Sequence, residues 1–249
     1  MARINWSKPG DRIFEAGIDR AVLFVQGNSG VPWTGLINVN DQSSGGESKP
    51  RYRDGIKHSN RTSPQEFEGT IEAFTYPLEF EKCEGVYSGE SGLRITQQRR
   101  KGFGMSYRSK VGNEIDGLDL GYKIHLLYNL KAEPSNRGYQ TLGEQIDPVT
   151  FSWKVTSRAA MISGYRPTSH FIIDSRDVPA SLLQTIEDLL YGTETTEPTL
   201  PTPGELMFLF DSFEDMVYDA GTPYTNVFVT YDAGNTSTPV LETIDGGAL

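Results

Sequence analysis

The 249-residue sequence has one cysteine, three histidines, no long apolar run, and no lysine or arginine after Arg176. Each shortage excludes something. A lone Cys83 rules out an internal disulfide and any site built from several thiolates, and it reads as an ordinary reduced residue. The longest apolar runs, residues 21–25 and 206–210, fall far short of the roughly 18–20 residues that span a bilayer, so no membrane insertion is expected. The opening MARINWSKPGDR has neither the apolar core nor the small-residue cleavage pattern of a secretory leader, and cytoplasmic synthesis and folding are expected. The histidines, His58, His125 and His170, lie far apart on different predicted elements and show no paired spacing. They read as ordinary strand or loop residues. No phosphate-binding loop occurs, and GESG at residues 89–92 has the wrong spacing for a nucleophile elbow.

The missing bases divide the chain. Residues 1–176 hold all 23 bases against 20 acids, whereas residues 177–249 hold 13 acids and no base. The C-terminal part is therefore a different electrostatic object, of the kind that marks an appended segment. A formal net charge of −10 also makes the chain as a whole a poor binder of nucleic acid.

With 37% hydrophobic residues, 26 glycines and 14 prolines, what is present suits a strand- and turn-rich protein. Alternation and β-branched or aromatic enrichment predict strands at residues 18–26, 33–39, 67–75, 93–98, 103–110, 122–130, 149–156 and 170–174. Turn-rich stretches separate them, notably residues 40–50 and 132–138. Eight strands with almost no helix between them predict a mainly β fold, an antiparallel β-sandwich or barrel with one flanking α-helix and a C-terminal extension. The helix is residues 179–191, with Leu182, Leu183, Ile186, Leu189 and Leu190 in one stripe and Gly192 ending it. The expected organisation is a body over residues 1–192, a proline-punctuated linker at 193–203, and a short helix plus acidic extension over 204–249. Thr202-Pro203-Gly204-Glu205 is a capping-box pattern opening that helix through residues 206–210. Residues 212–249 form either a small β appendage or a partly disordered one.

The most informative stretch is EFEGTIEAFTYPLEF, residues 66–80. Phe67, Gly69, Ile71 and Ala73 alternate with Glu66, Glu68, Thr70 and Glu72, so one strand face is buried and the other carries three carboxylates. Like charges on one face repel, at a cost in stability. Such a row is either solvated on an outer surface or put to use. As a glycosidase pair it lacks a cleft, because the carboxylates lie on a single strand roughly 6.6 Å apart. The oxygen-rich residues 112–121, with Asn113, Glu114, Asp116 and Asp119, match no EF-hand spacing and read as a turn. Arg99-Arg100-Lys101, and Arg51, Arg53 and Lys57, read as solvated loops or as partners for another subunit's acids. No catalytic residue, metal site or cofactor is assigned, and an enzyme is not expected.

Several segments together resemble the major tail protein, or tail tube protein, of long-tailed non-contractile bacteriophages, actinobacteriophage type. They are KPGDRIFEAGIDRAVLF, GVPWTGLINVN, YRDGIKH, EFEGTIEAFTYPLEF, GFGMSYRSKVGNEIDGLDLGYKIHLLYNL, PVTFSWKVTSR, GYRPTSHFIIDSR, IEDLLYG and LPTPGEL, in order over roughly residues 6–210. The resemblance implies a structural virion protein whose subunits form hexameric rings that stack into the tail tube. That tube would be assembled in the host cytoplasm, enclose a tape-measure protein, and meet tail-terminator and baseplate or distal tail proteins at its ends. Double-stranded DNA would pass through it without sequence-specific binding. In that setting Glu66, Glu68 and Glu72 are candidate lumen-facing residues, with an outward solvated face the open alternative. The polar loop at residues 39–52, with Asn40, Asp41, Ser43, Gly45, Glu47 and Lys49, is the candidate inter-ring element. The rivals are a capsid decoration or tail-terminator ring protein and, from another class, a carbohydrate-binding or hydrolysing β-sandwich.

Overall fold

The computed structural model describes residues 8–26, 29–46, 48–62, 65–89, 92–135, 137–139, 141 and 148–218. The strands are β1 (Phe14–Val25), β2 (Val31–Pro32), β3 (Leu36–Asp41), β4 (Ser44–Gly45), β5 (Ser48–Arg53), β6 (Ile56–Thr62) and β7 (Gln65–Glu66). They continue with β8 (Glu68–Ala73), β9 (Tyr87–Ser88), β10 (Arg94–Ile95), β11 (Phe103–Asn113), β12 (Gly117–Ala132), β13 (Phe151–Ser157) and β14 (His170–Asp174). The α-helices are α1 (Glu81–Glu84), α2 (Ala180–Tyr191) and α3 (Pro203–Tyr218).

The chain divides into two compact units, residues 1–206 and 207–249. In the first, the main sheet runs β2-β1-β11-β12-β13-β8-β3, all antiparallel, with β14 also paired to β12. Its two edge strands, β2 and β3, are consecutive in the chain and separated only by Trp33, Thr34 and Gly35. The sheet therefore curls back on itself, and Trp33 stands at the closure, its indole N–H donating to the Thr75 carbonyl at 2.9 Å.

Strong curvature needs places where strands bend. In β1 the ladder shifts between Asp19 and Val22, where Arg20 takes a positive φ of 47°. In β12 the ladder to β11 shifts between Leu127 and Leu130, with Asn129 at φ 54°. Asparagine tolerates this left-handed conformation better than most residues. At Asn129, β12 also changes partner: Lys123–Leu127 pair with β14 and Leu130–Ala132 pair with β13.

Alternate side chains of the curved sheet fill its interior. Leu23 and Val25, Phe103 and Met105, Trp153 and Val155, and Ile71 and Ala73 are buried there with Trp33 and Phe80. Aromatic rings dominate the centre: Phe80 lies 4.7 Å from Trp33 and 5.0 Å from Trp153. Each fully buried large side chain contributes roughly 1.5–3 kcal/mol relative to exposure. The opposite face of β1, β11 and β12 is buried as well, and α2 lies over it through a polar clamp. Arg108 of β11 donates to both carboxylate oxygens of Asp19, at 2.8 and 3.0 Å, and contacts Glu187 of α2 at 3.5 Å. Tyr122 of β12 also donates to Glu187, at 2.9 Å.

Helix α2 buries Leu182, Ile186 and Leu190 from the expected stripe. Pro179 caps the helix rather than occupying its first turn, and Gly192 ends it at φ 78°. The capping box is present as read: Thr202 N–H donates to the Glu205 carboxylate at 2.7 Å, and Glu205 N–H donates to Thr202 Oγ1 at 3.3 Å. The helix it opens reaches Tyr218 rather than residue 210. Residues 193–201 lie along the sheet: Gly30 N–H donates to the Pro198 carbonyl at 2.8 Å and Tyr128 Oη to the Pro201 carbonyl at 2.9 Å. The expected strand at 93–98 shortens to Arg94–Ile95. Residues 219–249, most of the appendage expected at 212–249, lie outside the described residues.

Candidate functional site

The acidic row sits as the alternation requires. Phe67, Gly69, Ile71 and Ala73 are buried, while Glu68 and Glu72 stand half-buried on the opposite face and Glu66 is exposed on β7. β8 is a central strand, hydrogen-bonded to β13 on one side and β3 on the other. Its carboxylates are therefore carried on a rigid framework. Their cross-strand neighbours are polar: Thr156 beside Glu68, Lys154 and Asn40 beside Thr70, and Ser152 and Asn38 beside Glu72. Lys154 lies 3.6 Å from Glu68 and 3.8 Å from Glu133, and Ser44 Oγ donates to Glu68 at 2.8 Å. The face is thus a polar surface on which Glu68, Glu72 and Glu133 are interspersed with Lys154 and with Lys131, which is exposed and pairs opposite Thr156. The lysines relieve the repulsion expected of a bare row.

The expected polar loop is a β-ribbon over much of its length. Asn40 and Asp41 end β3; Asp41 accepts from Ser43 N–H at 3.0 Å and from Ser43 Oγ at 2.8 Å, which turns the chain. Gly45, at φ 85°, pairs with Gln65. Glu47 lies outside the described residues, and Lys49 pairs through its backbone with Arg61 in β5–β6. That hairpin turns on Asp54-Gly55, whose positive φ values of 52° and 76° mark the mirror-image turn that suits twisted hairpins. It pairs with no other strand among the described residues. Tyr52 and Ile56 near its tip are 66% and 73% exposed. A proline at 50 and this turn pattern were the available signals.

The structure corrects one reading outright: His125 and His170 are neighbours. His125 Nδ1 lies 3.1 Å from His170 Nε2, and His125 Nε2 lies 3.0 Å from Ser109 Oγ. Ser109 Oγ is 3.3 Å from Glu15, which Lys123 also holds, and His170 Nδ1 lies 3.5 Å from Asp41. The residues come from β1, β3, β11, β12 and β14, so antiparallel register assembles what sequence separation hides.

Proton counting defines this chain. Four links run between two acceptor-only carboxylates, and each needs one proton. Neutral Ser109, His125 and His170 supply three. Ser109 donates to Glu15, His125 Nε2–H to Ser109, and His170 Nε2–H to His125, leaving His170 Nδ1 bare toward Asp41. The 3.5 Å separation at that last link suits the neutral state. Burial pushes His125 down to about 4, and the neighbouring His170 pushes the same way. Burial lowers His170 too, against the pull of Asp41.

The chain is packed rather than open. Tyr107 stacks on His125 at 4.6 Å and Phe67 meets His170 edge-on at 5.4 Å, so the rings are covered, and Ser109 is buried. In residues 112–121 the oxygen atoms serve the turn itself. Asn113 Oδ1 accepts from Ile115 and Asp116 N–H, Asn113 Nδ2 donates to Asp116, and Glu114 accepts from Gly10 N–H. Among the described residues no three His, Cys, Asp or Glu side chains are grouped as metal ligands. Cys83 is fully buried and its thiol is pushed up to about 12 by burial.

No family model matches the sequence. No curated protein matches it either. Among solved structures, a chain of the anti-feeding prophage baseplate is 8% identical, covering 70% of this chain and 97% of that one at a TM-score of 0.35. A chain of an extracellular contractile injection system, the PVC sheath-tube complex in its extended state, is 12% identical, with coverages of 69% and 94% and a TM-score of 0.29. The anti-feeding prophage tube-terminating cap gives 12% identity, coverages of 70% and 96%, and a TM-score of 0.29. At these TM-scores the likeness carries no argument about function.

Proposed function

We propose that this chain is a non-enzymatic virion subunit that self-assembles into hexameric rings stacked as a tail tube, the conduit for double-stranded DNA. The sequence resemblance over residues 6–210 supports this reading. The structural observation that carries it is the β5–β6 hairpin. Among the described residues it pairs only with itself, presents exposed Tyr52 and Ile56, and contributes no side chain to the core. Such an arm is explained by contact with a second copy. Head-to-tail contacts that close by rotation make rings, and those that continue along an axis make tubes.

In this reading Glu66, Glu68 and Glu72 face the bore. A wall of bases making on the order of six to ten phosphate contacts would grip DNA at moderate salt. A polar wall that carries these carboxylates lets the genome slide. The tape-measure protein would occupy the same lumen before ejection, and tail-terminator and baseplate proteins would cap the ends.

Electron microscopy of the purified protein tests the proposal. Long hollow tubes are the expected result, with loss of tubes when a short glycine linker replaces residues 48–62. Isolated rings that never stack would point to a terminator-type protein, and monomers at high concentration would overturn the proposal. A tube reconstruction with the three glutamates outside would remove the lumenal assignment alone.

A further inference from the structure

The exposed cations and apolar side chains on the arm together suit a particular kind of partner. Elsewhere in the described residues many bases have a carboxylate partner within their own chain: Arg108 with Asp19, Lys123 with Glu15, Arg137 with Glu84, Arg176 with Asp174. Arg51, Arg53 and Lys57 have none among the described residues, and all three are exposed. In the ladder Tyr52 lies opposite Lys57, and Arg53 opposite Ile56. Each cross-strand pair therefore joins one exposed hydrophobic to one cation. A surface of this composition fits an apolar patch edged with acids.

The β11–β12 turn is such a patch. Glu114, Asp116 and Asp119 are exposed there and form no ion pair among the described residues. Ile115 is 63% exposed, Leu118 43%, and Ile13 and Phe14 on the flanking segment 52% and 46%. Arg12 is the nearby counter-charge to Glu114. Some other exposed apolar groups have basic or already paired surroundings. Met161 and Tyr165 lie in sequence between Arg158 and Arg166, and Ile95 adjoins Arg94, which is bound to Glu81. The turn is also rigid, because the buried Asn113 side chain holds two of its N–H groups at 3.0 and 2.6 Å. A receptor held in shape loses little entropy on binding.

We infer that the β5–β6 arm of one subunit docks on the β11–β12 turn of a second copy of this chain. The inference rests on the self-assembly reading and names the receptor within it. Every subunit carries one arm and one turn, so the contact is heterologous and propagates. Opposite charge steers the two together, and Tyr52 and Ile56 supply the apolar area against Ile115 and Leu118.

Charge exchange tests the pairing. Arg53→Glu with Lys57→Glu, or Asp116→Lys with Asp119→Lys, should each raise the concentration needed for assembly by roughly tenfold or more. Combining all four changes should restore most of it. Circular dichroism and thermal melting establish that each variant is folded. A second measurement is independent of charge: Ile56→Cys protein is mixed with Ile115→Cys protein, assembled and mildly oxidised. A disulfide-linked dimer joining the two is expected, and buried Cys83 does not compete. Normal assembly of both charge-reversed variants, or absence of the mixed cross-link in well-formed tubes, overturns the inference and leaves the tube proposal standing. Failure of the unmodified chain to assemble overturns the proposed function itself.

Discussion

Acid should destabilise this protein in a pH range where few other groups titrate, and the Ser109–His125–His170 chain is the reason. His125 is buried, with its ring stacked under Tyr107 and its two nitrogens committed to Ser109 and His170. Its folded pKa is lowered from 6.5 to about 4. A histidine so depressed stabilises the fold while it stays neutral, above pH 6.5. That stability is lost as pH falls toward 4, because the unfolded chain takes up the proton first. The full loss is about 3 kcal/mol, and about 2 kcal/mol is gone by pH 5. His170, lowered in the same direction, adds to it. The charged groups facing the pair are Asp41, Glu15 and Lys123. The lowered carboxylates Glu15, Asp19, Glu81 and Asp174 act further down, below about pH 4.5. Urea unfolding of the unassembled chain at pH steps from 8 to 5 measures the slope. His125→Gln keeps polar contacts and removes the titration, so its decline over that range should be smaller by about 2 kcal/mol. Parallel pH profiles for the two proteins would refute the reasoning, as would wild-type stability that rises on acidification.

Three other perturbations probe other parts of the molecule. Asp19→Ala leaves Arg108 buried with only the longer Glu187 contact, and should lower stability by about 3 kcal/mol in urea unfolding; a loss below 1 kcal/mol would mean the clamp on α2 is incidental. Trp153→Ala empties the centre of the aromatic core and frees Glu84 from the indole N–H, at a cost of about 3–5 kcal/mol, read from the same unfolding curves. Glu72→Lys, on the polar face of β8 and without an ion-pair partner among the described residues, should leave assembly intact and slow DNA ejection from reconstituted particles several-fold, reported by dye-accessible DNA; unchanged ejection would argue against a lumenal position.

Local patterns were legible to the extent that they report on local physics. The Phe67–Ala73 alternation placed four side chains inside and the carboxylates outside, because a strand has only two faces. The α2 stripe and the Thr202–Glu205 capping box were readable because their partners lie three or four residues apart. The β5–β6 hairpin carried its signal in Asp54-Gly55, yet the polar residues around it read as loop. A hairpin with both faces in solvent shows no hydrophobic period. The lysines among the carboxylates were equally hidden, since Lys154 reaches Glu68 across a strand pairing 86 residues apart in the chain.

By itself the sequence determined a strand-rich chain with a charged, base-free C-terminal part and one face of β8 lined by carboxylates. Tertiary structure alone decided that the sheet closes through Trp33, that β12 switches partners at Asn129, and that Glu15, Ser109, His125 and His170 from four strands meet in one hydrogen-bonded chain with Asp41 of a fifth strand beside its end. The physical reason is register. Alternation tells which way each side chain points, but which strands lie side by side, and at what offset, depends on the bends at Arg20 and Asn129 and on a core that only the folded sheet encloses.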